Sequence, residues 1–233
     1  MEIQTIFPKF IGAKQAPFSD SVVRELIRLG IEFAERNRKG ENNEIEPVLD
    51  KTQINPAENS LRYVSHERAN IFADYPESWA IKEWKRFCYA MAEEYMLEVH
   101  KYRNDMELNI LGDAVYQYSP DYNAGVPLHN HTDCDFAISY YPLVDFGDKY
   151  PSNAYNRGAL RFFNPDECKR HYFPHNNEDF ISGYNCTIEA SQGSAFIFEG
   201  NALHDSTHFE GLRRLCLPAF VSVKSPEKKV FIP

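Results

Sequence analysis

The chain has 233 residues, 43% of them hydrophobic and 25% charged, which is the composition of a folded globular protein and excludes a disordered one. Acidic residues outnumber basic ones by 34 to 25, and the resulting net charge of -9 argues against a general nucleic-acid partner. Mean hydropathy is -0.52 and no apolar run approaches the length of a membrane span, so the expectation is a cytoplasmic protein with no membrane helix.

At this length one domain over residues 1–233 is expected, with a helical part over 1–105 and a strand-rich part over 106–223. From Ser19 to about Arg36, Val23, Leu26, Ile27, Gly30 and Ala34 recur at helical spacing, with Ser19 or Asp20 as cap. Asn37 to Pro56 is polar and reads as an exposed loop. A second helix is predicted from Glu77 to His100, where Ala80, Trp84, Phe87, Met91 and Tyr95 form an apolar stripe suited to packing on a sheet. The strand candidates that follow are Asn109–Tyr118, Phe136–Tyr141, Gly158–Phe163, Asn185–Glu189, Gly193–Phe198 and Arg214–Val223. Short strands after a helical lead-in predict a mainly β sandwich or barrel with a helical buttress on one face. Val144–Arg157 reads as a loop over a site, and residues 164–184 as a second irregular segment. The five cysteines, Cys88, Cys134, Cys168, Cys186 and Cys216, contain no C-x-x-C pair, so unpaired thiols are expected.

The chemistry concentrates in His129-Asn-His131-Thr-Asp133. Residues i and i+2 of an extended strand share a face, so His131 and Asp133 would present an imidazole and a carboxylate together. His129 would join them if the extended geometry reaches back that far. One histidine and one aspartate make up two parts of the facial set that holds non-haem Fe(II). A third ligand must come from elsewhere: His204 follows the apolar run Gly193-Ser-Ala-Phe-Ile-Phe198 and a Gly-containing turn, with His208 as competitor. Arg213 and Arg214 open the next strand, and a guanidinium suits a carboxylate ligand. Parity separates them. Arg214 shares a face with Cys216 and Pro218, Arg213 with the bulkier Leu215 and Leu217, so Arg214 is favoured for a small dianion.

His-x-Asp, a distant histidine and an arginine ten residues beyond it resemble the Fe(II)- and 2-oxoglutarate-dependent dioxygenases. Val126-Pro-Leu-His-Asn-His131, Ile138-Ser-Tyr-Tyr141, Gly158-Ala-Leu-Arg-Phe-Phe-Asn-Pro165 and Arg214-Leu-Cys-Leu are similar to runs of the prolyl-hydroxylase-like members. The resemblance covers about residues 106–223 and implies a double-stranded β-helix, a cupin-like jelly roll with N-terminal helices. It implies His131, Asp133 and His204 as iron ligands and Arg214, or Arg213, as the anchor of 2-oxoglutarate. Tyr141 would donate to the same carboxylate, with Tyr116 or Tyr118 as further lining. The implied activity is hydroxylation by O2, coupled to oxidative decarboxylation of 2-oxoglutarate, on a peptidyl or small-molecule substrate. In this family the residue two after the arginine is often small and polar, and here it is Cys216. Pro218 suggests an edge or bulge in its strand. Two other classes use such a barrel: a cupin-like metal-binding isomerase or dioxygenase without 2-oxoglutarate, and a non-enzymatic binding module. Sequence alone leaves the primary substrate and the oligomeric state open.

Overall fold

The computed structural model describes residues 1–6, 9–38, 70–101, 107–118, 125–126, 128–131, 133–148, 150–153, 156–164 and 185–224. Ten strands and three helices occur among them. They are β1 (Glu2–Ile6), β2 (Lys9–Gln15), α1 (Asp20–Arg38), α2 (Ile71–Asp74), α3 (Trp79–Tyr95), β3 (Glu107–Gly112), β4 (Val115–Tyr118), β5 (Phe136–Asp145), β6 (Leu160–Phe163), β7 (Asn185–Ile188), β8 (Ser194–Glu199), β9 (His204–Ser206) and β10 (Arg213–Lys224). A π-helical turn, Met96–His100, prolongs α3 and ends at Lys101 with φ of 59°. No helix among the described residues is long and apolar enough to cross a membrane.

The strands form two antiparallel sheets. The larger runs β1-β2-β8-β5-β10-β3, with β4 also on β10, and the smaller runs β7-β6-β9. Together they make a mainly β, double-stranded β-helix. Both helices foreseen from periodicity are present and pack on the larger sheet. Ser78 caps α3 by accepting from the Ile81 amide at 3.3 Å. Asn70 caps α2, accepting from Phe72 N at 3.1 Å, and also accepts from Gly112 N at 3.1 Å, which ties α2 to β3. Val22, Leu26, Leu29 and Phe33 of α1 are buried, and Gly30 lets the helix approach β10, because a Cβ there would come within 2.9 Å of Leu215 and Leu217.

The central strands are buried on both faces, so they read as apolar runs and not as alternation. Strand β5 sends Phe136, Ile138 and Tyr140 toward the helices and Ala137 and Tyr141 toward the smaller sheet. Strand β10 sends Leu215, Leu217, Ala219 and Val221 to the helices and Phe220 to the other side. The pairing shifts by one residue between Leu215 and Leu217, a bulge that places Tyr141 and Pro142 opposite Cys216. Pro218 is at neither an edge nor this bulge. It falls where the second neighbour of β10 changes from β4, which ends at Cys216, to β3, which begins at Ala219.

Several elements differ from the sequence expectation. The first fifteen residues hold two strands, β1 and β2, and β2 pairs with β8, so the N-terminal part contributes to the sheet as well as to the helices. The Tyr95 hydroxyl donates to Phe10 O at 2.8 Å and joins α3 to β2. Asn109–Tyr118 divides into β3 and β4 around Asp113 and Ala114, and β9 was not foreseen. Residues 39–69 and 165–184 lie outside the described residues, so the loop expected at Asn37–Pro56 falls almost wholly there, as does the second irregular segment apart from Asn164. The four described cysteines, Cys88, Cys134, Cys186 and Cys216, are unpaired.

Candidate metal centre and carboxylate pocket

Main-chain pairing brings three histidines together. His129 and His204 exchange both backbone hydrogen bonds, each at 2.9 Å, as an extension of β9. His131 N donates to Gly200 O at 2.7 Å, and Gly200 N donates to Asp135 O at 2.8 Å, so the turn after β8 docks on the chain leading into β5. Only glycine fits at this turn: a Cβ on Gly200 would run into the carbonyl oxygens of Cys134 and His131. His129, His131 and His204 each offer one potential ligand atom, and these atoms all lie within 4.8 Å of one another. The ring centroids are separated by 4.2 Å for His129–His204, 4.8 Å for His129–His131 and 5.1 Å for His131–His204.

His204 is 4% exposed, with Phe198 at 4.7 Å and Phe162 at 5.8 Å between ring centroids. Its Nδ1 donates to Ala202 O at 2.7 Å, which leaves the Nε2 lone pair for a metal. Burial, reinforced by His129 nearby, pushes its pKa down to about 4 against the pull of that carbonyl, so at neutral pH the ring is uncharged. His131 packs on Phe220 at 4.8 Å.

Asp133 is exposed and is not a member of this cluster. The extended conformation that gives i and i+2 a common face runs backward from His131 to His129. Ahead of His131 the chain turns at Asp133 before β5 begins at Phe136. The structure therefore brings His129, and not Asp133, beside His131. The signal was present in the sequence, since aspartate is a turn former as well as a ligand.

The two arginines part as parity predicts. Arg213 points outward and pairs with Asp145 at 2.9 Å. Arg214 is 2% exposed; its Nη1 donates to Gly158 O and its Nη2 to Ser206 Oγ at 3.2 Å. Among the described residues no carboxylate forms an ion pair with it. Burial lowers its pKa, while Tyr141 and Cys216 act in the opposite direction. Gly158, at φ 68°, makes the room: a Cβ there would overlap the Arg214 guanidinium. Ser206 is two residues from His204 on the same strand, so about 7 Å of extended chain separates the cluster from this pocket.

Tyr141 is 2% exposed, with its ring centre 5.8 Å from Arg214 Cζ. Burial, then the neighbouring Cys216, hold its phenol well above the usual range, so it stays a proton donor. Tyr140 turns to the helices, against Phe18 and Phe87. Tyr116 packs in that same helix-side core. The Tyr118 backbone pairs with Arg213, and its side chain is outside what the structure describes. Gln117, which sequence reasoning passed over, is 6% exposed and opposite Arg214 in the β4–β10 register. His208, the competitor of His204, is exposed and outside the cluster. The loop expected at Val144–Arg157 packs at the Arg214 end: Leu212 N donates to Asp145 O at 2.8 Å and Glu210 N to Asn156 O at 2.7 Å.

No protein-family model matches the chain, and no curated protein matches it. Solved structures do. The carbocyclase SnoK, a non-haem α-ketoglutarate-dependent enzyme of nogalamycin biosynthesis, superposes with a TM-score of 0.56 at 10% identity, over 91% of this chain and 78% of its own. AviO1 from Streptomyces viridochromogenes Tue57 gives 0.52 at 14% identity, covering 93% and 90%. A prolyl-4-hydroxylase from Pseudomonas putida gives 0.50 at 13% identity, covering 92% and 88%. The chain shares its fold with these structures. Within it, main-chain pairing sets three imidazoles close together, their potential ligand atoms all within 4.8 Å of one another, and a buried guanidinium bonds to Ser206, two residues along from His204.

Proposed function

We propose that this chain is an Fe(II)- and 2-oxoglutarate-dependent oxygenase, a hydroxylase that uses O2 and oxidises a C–H bond of a peptidyl or small-molecule substrate. The observation that carries the reading is Arg214. A guanidinium withdrawn from water, with no carboxylate paired to it among the described residues, costs several kcal/mol, and a bound dicarboxylate would supply the opposite charge. The donor set fits iron, because imidazole suits Fe(II) and three ligands on one side leave coordination positions open. His129, His131 and His204 are the proposed ligands, with His129 in the place first expected for Asp133.

When bound, Fe(II) and 2-oxoglutarate supply the oxidising chemistry itself. The protein orients and encloses. The Ala202 carbonyl fixes the His204 ring and its tautomer. Arg214 holds the distal carboxylate, the protonated Tyr141 phenol donates to it, and Ser206 Oγ fixes one guanidinium nitrogen. Phe162 and Phe198 shield the His204 ring, and Phe220 packs on His131. The similar structures include a prolyl-4-hydroxylase and a carbocyclase, which supports the oxygenase class without choosing between peptide and small molecule.

One observation favours a second reading. Three imidazoles with no carboxylate among the described residues would also serve a cupin-like metalloprotein that uses no 2-oxo acid, and Arg214 decides between the two. Anaerobic titration with Fe(II) and then 2-oxoglutarate should give a visible charge-transfer band only when both are present. The band should vanish in His129→Ala and His204→Ala and persist in Asp133→Asn. Iron binding with no response to 2-oxoglutarate moves the cupin-like reading ahead, and loss of iron in Asp133→Asn restores aspartate as a ligand.

A further inference from the structure

Two aromatic rings lie beside the Arg214 guanidinium, and the second is not among the residues the sequence singled out. Its Cζ lies 5.8 Å from the ring centre of Tyr141 and 5.4 Å from that of Phe209. Phe209 is 3% exposed and stands at the end of the smaller sheet, where its backbone bridges to Arg157. Two glycines leave room for the ring. A Cβ on Gly211 would strike it, and one on Gly158 would come within 3.2 Å.

The ring is itself supported from outside. Phe146 lies 5.2 Å from Phe209, and Tyr150 lies 4.8 Å from Phe146. Arg157 Cζ sits 4.5 Å from the Tyr150 ring. The same guanidinium donates to Pro151 O at 2.9 Å and Ser152 O at 3.3 Å and pairs with Glu189. A continuous chain of edge-on and tilted aromatic contacts therefore runs from Tyr150 at the surface to the buried cation.

We infer that Phe209 is a positioning residue, which holds the Arg214 guanidinium in the plane that receives the distal carboxylate of a dicarboxylic 2-oxo acid. The inference rests on the reading of Arg214 as that anchor. Arginine has several rotatable bonds, and two hydrogen bonds alone leave it free to tilt. Two rings held near the guanidinium resist that tilt, and the attraction between cation and ring offsets part of the desolvation of the charge. The N–H groups not used by Gly158 and Ser206 then stay aimed between the sheets. Leucine at 209 fills most of the volume and offers no face.

The test compares two ligands on the Fe(II)-loaded full chain without oxygen. Pyruvate carries the same 2-oxo acid end as 2-oxoglutarate and lacks the distal carboxylate. In Phe209→Leu the Kd for 2-oxoglutarate should rise roughly tenfold while the Kd values for pyruvate and Fe(II) stay unchanged. Arg157→Gln, which frees the outer support and leaves the ring, should move the same ratio in the same direction by less. It also serves should Phe209→Leu fail to fold. An unchanged ratio of the two Kd values, or a parallel rise in both, overturns the positioning role. A wild-type protein that binds 2-oxoglutarate no more tightly than pyruvate removes the anchor reading instead, and this inference with it.

Discussion

The two faces of the larger sheet are both buried, and they are buried in different company. Toward the helices lie Trp84, Met91, Phe33, Ile138, Leu215 and Leu217, all of them apolar. Toward the smaller sheet lie Ile11, Phe162, Phe196 and Phe198, and among them Ser139, His204, Ser206 and Arg214, each 9% exposed or less. Strand β10 serves both: its odd-numbered residues Leu215 to Val221 complete the helix-side core, and Arg214 looks the other way. The helix-side face is an apolar core, and the second face buries polar and charged side chains among its apolar ones.

The largest effect expected of a single change is on the helix side. Trp84 is fully buried, 4.6 Å from the Phe72 ring. Trp84→Ala should cost about 4 kcal/mol and lower the melting temperature by roughly 10 °C, with iron affinity of the folded fraction unchanged. A matching loss of iron affinity would show that the two faces are not separable.

The polar face should carry the pH dependence, visible in the metal-free protein. His204, at about 4 when folded against its usual 6.5, takes up a proton on unfolding, so stability falls as pH drops through that interval, by about 3 kcal/mol in full. Asp113 works the other way. Burial, only partly opposed by the Ala114 amide, raises it to about 7 from 3.8, so the folded chain keeps a proton that the unfolded chain releases. Its contribution is complete below the usual value and is lost as pH rises to about 7. The two slopes oppose each other between pH 4 and 6.5, and Asp113→Asn leaves His204 alone. Urea midpoints of that variant should fall more steeply on acidification than those of the wild type. Parallel curves would sink the assignment.

Arg214→Met sharpens the contrast at the smallest scale. An apolar side chain of similar length should leave the ligand-free protein as stable as before, or more so, because a buried charge is gone. Binding of 2-oxoglutarate should weaken about a hundredfold. Melting curves without ligand and a binding titration with it decide the matter. A destabilised variant with intact binding would reverse the roles given to the two faces.

Much of this arrangement is legible in the sequence where a single period governs a segment. The β10 alternation separates Arg214 from Arg213 correctly, and the stripe of α3 announces its buried face. What escapes has a physical reason in each case. Strand β9 is His-Asp-Ser, with no apolar residue, and exists because its backbone pairs with β6 and with His129. Strand β2 contains Gly12 and is completed by β8, a partner almost two hundred residues away in sequence. His129 could be ranked against Asp133 only by knowing where the extended chain stops. Phe209 carries no signature of its own, since its role depends on two glycines and a loop that meet only in the fold.

The histidines are spaced by peptide groups. His129 and His204 trade amide for carbonyl, and His131 is held by the Gly200 carbonyl. Apart from the small residue demanded at Gly200, nothing in that lattice depends on which side chains surround it, because every residue but proline brings the same donor and acceptor. The surrounding sequence is therefore free to drift while the ligand geometry stays put. A chain that shares 10–14% of its residues with SnoK, AviO1 and the Pseudomonas prolyl-4-hydroxylase can in this way keep their fold.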